Sequence, residues 1–228
     1  MPAAFLFFAA SIFILFIFSL GKKMSKSTIF IVFAAGLFSG PLCGFAEFFF
    51  NRELLGEKQG VLPSLLFYML GVGPIEELAK FAAVFLFALR RRDFMDSSGG
   101  MMLAVSAALG FAAGENVLYM LEFGPQATLI RLLLGNLGHA SYSVFWGYSL
   151  GVVLHENAEY TILLEGLLAA CLLHGLYDFL LTVSFAGAVA ALVFSAFLIL
   201  AFLSFFRTET KRNHAMKKGK PVAQRKIH

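Results

Sequence analysis

Eight polar side chains that can carry acid–base or metal chemistry lie inside otherwise apolar stretches of this 228-residue chain. They are Glu76, Glu77 and Lys80 within GPIEELAKF, Glu115 with Asn116, His139, and His174 with Asp178. A charged group near the centre of a bilayer costs roughly 2.5–3.5 kcal/mol on insertion scales, so it is retained where it faces a partner or a watery cavity. These eight residues are therefore the candidates for a functional site.

Local spacing predicts which of these side chains meet within one helix. Lys80 lies four residues after Glu76 and three after Glu77, so its ammonium can reach either carboxylate. The two glutamates point about 100° apart around a helix. We therefore expect one of them to face a cavity while the other pairs with Lys80. His174 and Asp178 are four residues apart on one helical face, where the carboxylate can orient the imidazole.

Two kinds of hydrolytic chemistry fit this set of residues. Glutamates and histidines from separate helices can bind Zn²⁺ with one coordination position open, which leaves a further carboxylate to activate water. A carboxylate can equally act as general base without a metal, with the histidines stabilising the oxyanion. The sequence contains no HExxH motif that would favour the zinc mechanism. Ion or proton translocation, a non-enzymatic scaffold, and buried hydrogen bonds that only join helices stay open as alternatives.

The composition predicts an all-α, polytopic membrane protein folded as a helical bundle. Hydrophobic residues make up 59% of the chain and charged residues 14%, whereas an ordinary soluble domain has about 25% charged residues. About seven apolar runs approach the ~20 residues that span a bilayer. They cover residues 2–20, 28–50, 61–89, 101–121, 128–154, 162–183 and 185–206.

The third apolar run contains Gly71, Gly73 and Pro74. We expect a local break of the helix there, with Pro74 in the first turn of the part that follows. Such a break would place Glu76 and Glu77 near the positive end of a helix dipole.

The distribution of basic residues predicts the orientation of the spans. With the N-terminus outside, 14 of the 18 Lys and Arg residues lie on the inner side, and this bias places the C-terminus inside. We expect residues 207–228 to form a basic cytoplasmic tail that contacts anionic lipid headgroups, and we do not expect nucleic-acid binding. Residues 1–206 then form a single helical membrane domain.

Depth in the membrane and helix packing decide whether the polar residues share one site. At 1.5 Å per residue, Glu115 lies roughly 10 Å, the two histidines about 15 Å and Glu76 about 20 Å from the outer ends of their spans. This spread is small enough for the side chains to converge in one cavity. Glycines at four-residue spacing predict close helix contacts. They are Gly36, Gly40 and Gly44, and Gly110 with Gly114.

Four motifs in this order resemble the PrsW family of bacterial membrane proteases, within a wider superfamily that includes the CAAX prenyl endopeptidases. The motifs are EELAK at 76–80, GFAAGEN at 110–116, His139 in GNLGHASYSVFWGYSLG, and HGLYD at 174–178. Asp96 with the SSGG that follows is a further, weaker match. The matching region runs from residue 74 to residue 178, nearly half of the chain.

The resemblance implies a multi-helix intramembrane endopeptidase in the plasma membrane of a bacterium or archaeon. It also implies a membrane-anchored protein substrate such as an anti-sigma factor. The catalytic or metal-binding roles it implies fall on Glu76, Glu77, Glu115, His139 and His174.

We therefore predict that Glu76 or Glu77 activates a water molecule that hydrolyses a peptide bond. Zinc is the candidate cofactor, and its candidate ligands are Glu115, His139 and His174. Three residues are predicted to support them: Lys80 orients the glutamate pair, Asn116 occupies a matching motif position, and Asp178 orients His174. The sequence makes no prediction of the oligomeric state.

Overall fold

A computed structural model describes residues 11–12, 14–15, 24–52, 60–87, 96–156 and 158–217, without the side chains of 125–134, 213–214 and 216–217. Within these ranges the protein contains helices and no strands, which confirms the all-α prediction. The helices are α1 (Lys26–Phe50), α2 (Val61–Leu66), a π-helical segment (Phe67–Val72), α3 (Gly73–Phe87), α4 (Ser97–Glu156), α5 (Tyr160–Val183) and α6 (Phe185–Lys217).

Four helical stretches of the described chain are long and apolar enough to span a membrane. They are Lys26–Phe50, Ser97–Gly124, Tyr160–Val183 and Phe185–Arg212. The protein is therefore a multi-pass membrane protein. Most of the first expected span, residues 2–20, lies outside the described residues, so seven spans stays a prediction.

Helix α4 consists of two antiparallel arms joined at Gly124. This glycine has φ 80° and ψ 170°, a conformation that glycine adopts without the steric penalty of a Cβ atom. The first arm (Ser97–Gly124) and the second arm (residues 125–156) correspond to the expected fourth and fifth spans. Asn116 donates a hydrogen bond to Asn136 across the two arms at 3.0 Å, and a Cβ atom at Gly100 would clash with the carbonyl of Gly147. The arms therefore pack side by side.

The first arm of α4 is the central helix of the bundle, because 83% of its apolar 18-residue stretch is buried inside the protein. Glycines bring α1 against it, and these are among the glycines whose spacing predicted close helix contacts. A Cβ atom at Gly36 would clash with the carbonyl oxygen of Ala107, and one at Gly110 would clash with the backbone of α1. Gly44 is different, because a Cβ atom there would meet no atom within 4 Å. The four-residue spacing therefore predicts a close helix contact at Gly44 that the structure does not contain.

The third span does not break where a break was expected. Helical backbone angles continue from α2 through the π-helical segment into α3, so the expectation that Glu76 and Glu77 follow a free helix N-terminus is wrong. Proline lacks an N–H group, and its ring clashes with the carbonyl four residues earlier in an α-helix. The wider π-helical turn directly before Gly73 and Pro74 accommodates this proline without interrupting the helix.

Several helix ends meet at one end of the bundle. Asp96 caps α4, because its Oδ1 accepts hydrogen bonds from the Ser98 hydroxyl at 2.6 Å and the Gly99 N–H at 2.8 Å. The hydroxyl of Ser97 donates to Glu209 at 2.9 Å. Helix α6 therefore continues past residue 206, and the first part of the predicted tail packs against the bundle.

Candidate active site

The candidate site lies where α3, both arms of α4 and α5 come together. Two glycines allow the third span and α5 to approach each other at this level. A Cβ atom at Gly73 would clash with the carbonyl oxygen of Cys171, and a Cβ atom at Gly175 would clash with that of Tyr68. Since Gly175 directly follows His174, this backbone contact fixes the height at which the imidazole meets α3.

Glu77 is completely buried and has four side-chain partners from three helices. Its Oε1 lies 2.9 Å from Lys80 Nζ and 3.0 Å from His174 Nδ1. Its Oε2 accepts hydrogen bonds from Ser143 Oγ at 2.7 Å and Trp146 Nε1 at 2.9 Å. Charge-assisted hydrogen bonds of this kind hold a buried carboxylate firmly. Glu77 is therefore the glutamate of the pair that is held in place.

Lys80 is also fully buried and connects α3 to the second arm of α4. Besides Glu77, its Nζ lies 3.1 Å from Glu76 Oε2 and 3.0 Å from His139 Nδ1. The ammonium also stands 4.2 Å from the centroid of the Phe111 ring, within the range of a cation–π interaction. One cation thus contacts both glutamates and a histidine.

Both histidines face Glu76 with one ring nitrogen and a different carboxylate with the other. His174 Nε2 lies 3.4 Å from Glu76 Oε2, while its Nδ1 contacts Glu77. His139 Nδ1 lies 3.8 Å from Glu76 Oε2, while its Nε2 is 2.9 Å from Glu115 Oε2. Metal-binding histidines commonly donate their second N–H to a carboxylate in this way, which directs the other nitrogen toward the metal.

The donor atoms of Glu76, His139 and His174 fit a metal ion. All three residues are buried, and one ligand atom of each lies within 4.8 Å of the others. One carboxylate and two imidazoles form a ligand set of catalytic zinc sites. Two ligands of a tetrahedral zinc ion with ~2.0–2.1 Å bonds lie about 3.3 Å apart, close to the 3.4 and 3.8 Å that separate the imidazoles from Glu76.

The grouping differs from the predicted ligand set in its carboxylate. His139 and His174 belong to both sets, but Glu76 rather than Glu115 completes the group of three. Glu115 instead contacts Nε2 of His139, the ring nitrogen that faces away from Glu76.

A cavity of about 40 Å³ lies beside the two histidines. At ~10–15 Å³ per water molecule by this measure, it has room for a few waters. It is lined by Glu115, Gly135, His139, Tyr142, His174, Tyr177, Asp178 and Leu181. Asp178 Oδ2 lies 3.5 Å from His174 Nε2, farther than Glu77 is from Nδ1, so Glu77 makes the closer carboxylate contact with this imidazole.

Several residues of the second arm take part in the site without having been singled out from the sequence. Ser143 and Trp146 hold Glu77, and the ring of Tyr142 stacks on His174 with centroids 5.1 Å apart at 24°. These residues follow His139 at three-, four- and seven-residue spacing, which places them on one helical face. This helical spacing after His139 is the sequence signal that could have identified these three residues as part of the site.

Asn116 lies next to Glu115 but serves a different contact. It bonds Asn136, whose Nδ2 in turn donates to Ser11 Oγ at 3.0 Å. Asn116 therefore joins the two arms of α4 and, through Asn136, a residue near the start of the chain.

The helical fold and the buried glutamate–histidine cluster are those of a polytopic membrane protein with a candidate metal site between its helices. The sequence profile of the PrsW family intramembrane metalloproteases matches residues 24–205. The chain belongs to this family, and the resemblance drawn from the four motifs is confirmed.

Individual relatives support the same assignment. The chain is 37% identical to "Protease PrsW" of Shouchella clausii over 48% of this chain and 52% of the relative. It is 34% identical to "Protease PrsW" of Halalkalibacterium halodurans over 62% of this chain and 66% of the relative, and 33% identical to that of Bacillus subtilis over 55% and 59%. The chain thus spans about half to two thirds of the length of these curated relatives. No solved structure matches it.

Proposed function

We propose that this protein is an intramembrane endopeptidase that hydrolyses a peptide bond of a membrane-anchored protein. The observation that carries the proposal is the convergence of Glu76, His139 and His174, from three helical segments, on one buried group of donor atoms. Membership of a family of intramembrane metalloproteases, and relatives named as proteases, favour hydrolysis over ion translocation or a scaffold role. A membrane-anchored regulator such as an anti-sigma factor is the proposed kind of substrate, in the plasma membrane of a bacterium.

Glu76, His139 and His174 are the proposed holders of a zinc ion. When bound there, zinc would polarise the substrate carbonyl and lower the pKa of a water molecule. Glu77 and Glu115 complete this arrangement, because each contacts the imidazole nitrogen that faces away from Glu76. Glu77 lies 3.0 Å from His174 Nδ1, and Glu115 lies 2.9 Å from His139 Nε2. They fix the tautomer and the direction of each ring.

Glu115 is the proposed general base, in place of the predicted Glu76 or Glu77, because it lines the cavity beside both histidines and those two glutamates do not. It takes a proton from a water molecule as the water oxygen attacks the carbonyl carbon of the peptide bond. It then delivers this proton to the amine nitrogen as the C–N bond breaks. Glu77 and Lys80 do not line the cavity; Glu77 positions His174, and Lys80 supplies a counter-charge to Glu77.

Cleavage by purified protein in liposomes tests the proposal. The substrate is a single-span reporter protein inserted in the same liposomes, and cleavage products are measured on gels and by mass spectrometry. We expect the wild type to cut, with activity lost on chelation and restored by Zn²⁺. Activity that persists in the absence of stoichiometric metal and in the presence of chelators would favour the metal-free mechanism with Glu76 as base.

The role of Glu115 predicts a specific loss in the same assay. Glu115→Gln keeps the size of the side chain but removes its basicity, so we expect cleavage to fall by about 10²–10⁴-fold. Glu122→Gln is the matched control, because Glu122 lies on the same arm and is exposed. Cleavage by Glu115→Gln at the rate of the control would show that another group accepts the proton.

A further inference from the structure

The ammonium of Lys80 contacts two of the donor atoms that would bind a metal ion. Its ammonium is 3.0 Å from His139 Nδ1 and 3.1 Å from Glu76 Oε2. We take these two atoms as one edge of the proposed metal site, because Nδ1 is the His139 nitrogen that faces Glu76, at 3.8 Å. Because the residue is fully buried, solvent does not compete for these contacts.

The contact with His139 excludes simultaneous binding of a metal at the same nitrogen. A neutral imidazole has one N–H and one nitrogen with a single lone pair. Since Nε2 faces the Glu115 carboxylate at 2.9 Å, that nitrogen carries the hydrogen, and Nδ1 is the acceptor. The Nδ1 lone pair then serves either the lysine N–H or a metal ion.

Electrostatic repulsion also disfavours simultaneous binding of the Lys80 ammonium and a metal ion at this edge. A metal ion bonded to Glu76 and His139 at ~2 Å would lie within a few ångströms of an ammonium that remained in place. Repulsion between the two cations is strong in a buried environment of low dielectric. Glu77 offers Lys80 an alternative position, because it already lies 2.9 Å from Nζ and is not one of the three proposed metal donors.

We propose that the Lys80 ammonium and a divalent metal ion bind the Glu76–His139 edge alternately. Lys80 is then a built-in competitor that keeps the donor atoms together in the metal-free protein and lowers the affinity for the metal. On metal binding, its ammonium withdraws toward Glu77. This inference rests on the metal-dependent form of the proposed function.

Zinc affinity of the purified full-length protein tests the inference without reference to proteolysis. Zn²⁺ is titrated against a fluorescent chelator of known affinity, using the wild type, Lys80→Met and Lys80→Arg. Lys80→Met removes the competing cation with little change in volume, so we expect zinc to bind at least tenfold more tightly. Lys80→Arg keeps the charge and is expected to bind no more tightly than the wild type. Adding His174→Ala to each protein should abolish the signal if the zinc is bound at this site.

A second pair of variants covers the case in which Lys80→Met does not fold. Glu77→Gln with Lys80→Met removes one negative and one positive charge, and thus leaves the net charge of the buried cluster unchanged. Its matched reference is Glu77→Gln alone. We expect the double variant to bind zinc at least tenfold more tightly than this reference.

The outcomes separate this inference from the proposed function. Equal or weaker zinc binding without Lys80, in both comparisons, would overturn the competition and leave the metal site standing. Absence of zinc binding in every variant would overturn the metal site itself. Zinc binding that appears only when Lys80 is removed would support the competition in its strongest form.

Discussion

The two adjacent glutamates have different surroundings although they are chemically identical. Glu77 is held by Lys80, Ser143, Trp146 and His174. Glu76 faces Nδ1 of His139 and Nε2 of His174. Sequence spacing predicted that one glutamate would face a cavity while the other paired with Lys80, and this is wrong in two respects: Lys80 contacts both glutamates, and neither lines the described cavity. The partners that distinguish the two glutamates come from distant helices, so local spacing did not identify them.

This difference predicts opposite effects of the same substitution at the two positions. Glu77→Gln leaves the buried ammonium with one fewer counter-charge, and breaking a buried ion pair costs about 3–5 kcal/mol. We expect a clear fall in the thermal unfolding midpoint of the detergent-solubilised protein. Glu76→Gln should lower this midpoint less while abolishing cleavage and zinc binding. A larger fall for Glu76→Gln than for Glu77→Gln would contradict the assignment of the two roles.

At the scale of the elements, glycines set the distances between the helices that carry the site. The sequence predicted close helix contacts at glycines of α1 and of the first arm of α4, because four-residue spacing is visible in the chain, but it did not predict that these two helices would contact each other. It did not predict the π-helical segment Phe67–Val72. The number of residues per turn there depends on how Pro74 and the neighbouring α5 are accommodated, and neither is encoded in local spacing.

The contact at Gly175 predicts that a single methyl group will disturb the site. Gly175→Ala would bring a Cβ atom against the backbone carbonyl of Tyr68, which forces α5 away from the third span and moves His174. We expect lower thermal stability and at least tenfold slower cleavage. Gly44→Ala is the matched control, because the added methyl group would have no neighbouring atom within 4 Å, and it should behave like the wild type. Normal activity of Gly175→Ala would show that the spacing of these helices is not critical.

At the scale of the whole molecule, the described ends of α4 and the last turns of α6 lie together at one end of the bundle, and the side of the membrane that this end faces stays a prediction. Asp96 and Ser97 at the start of α4 lie at the same end of the bundle as Arg212, which contacts Glu156 at the end of α4 at 3.3 Å. The expected inner loops and the start of the tail thus share one face. Charge counting predicted this grouping, but it did not predict that α6 would continue to Lys217, because the contacts of Glu209 with Ser97 and of Arg212 with Glu156 are tertiary.

Labelling of single cysteines in intact cells tests the proposed orientation. Ser184 and Glu159 are both exposed and lie at opposite ends of α5. In a background without Cys43 and Cys171, we expect Ser184→Cys to react with a membrane-impermeant maleimide in intact cells. Glu159→Cys should react only after permeabilisation. The reverse pattern would place the C-terminus outside.

The proposed hydrolytic centre consists of Glu76, His139 and His174 within the membrane. It is tested most directly by the rate at which liposomes containing the purified triple variant Glu76→Gln, His139→Ala and His174→Ala cleave a membrane-anchored reporter. The wild type is predicted to cleave the reporter, and the folded triple variant is predicted to show no cleavage above the protein-free background. Cleavage by the triple variant at the wild-type rate would contradict the claim.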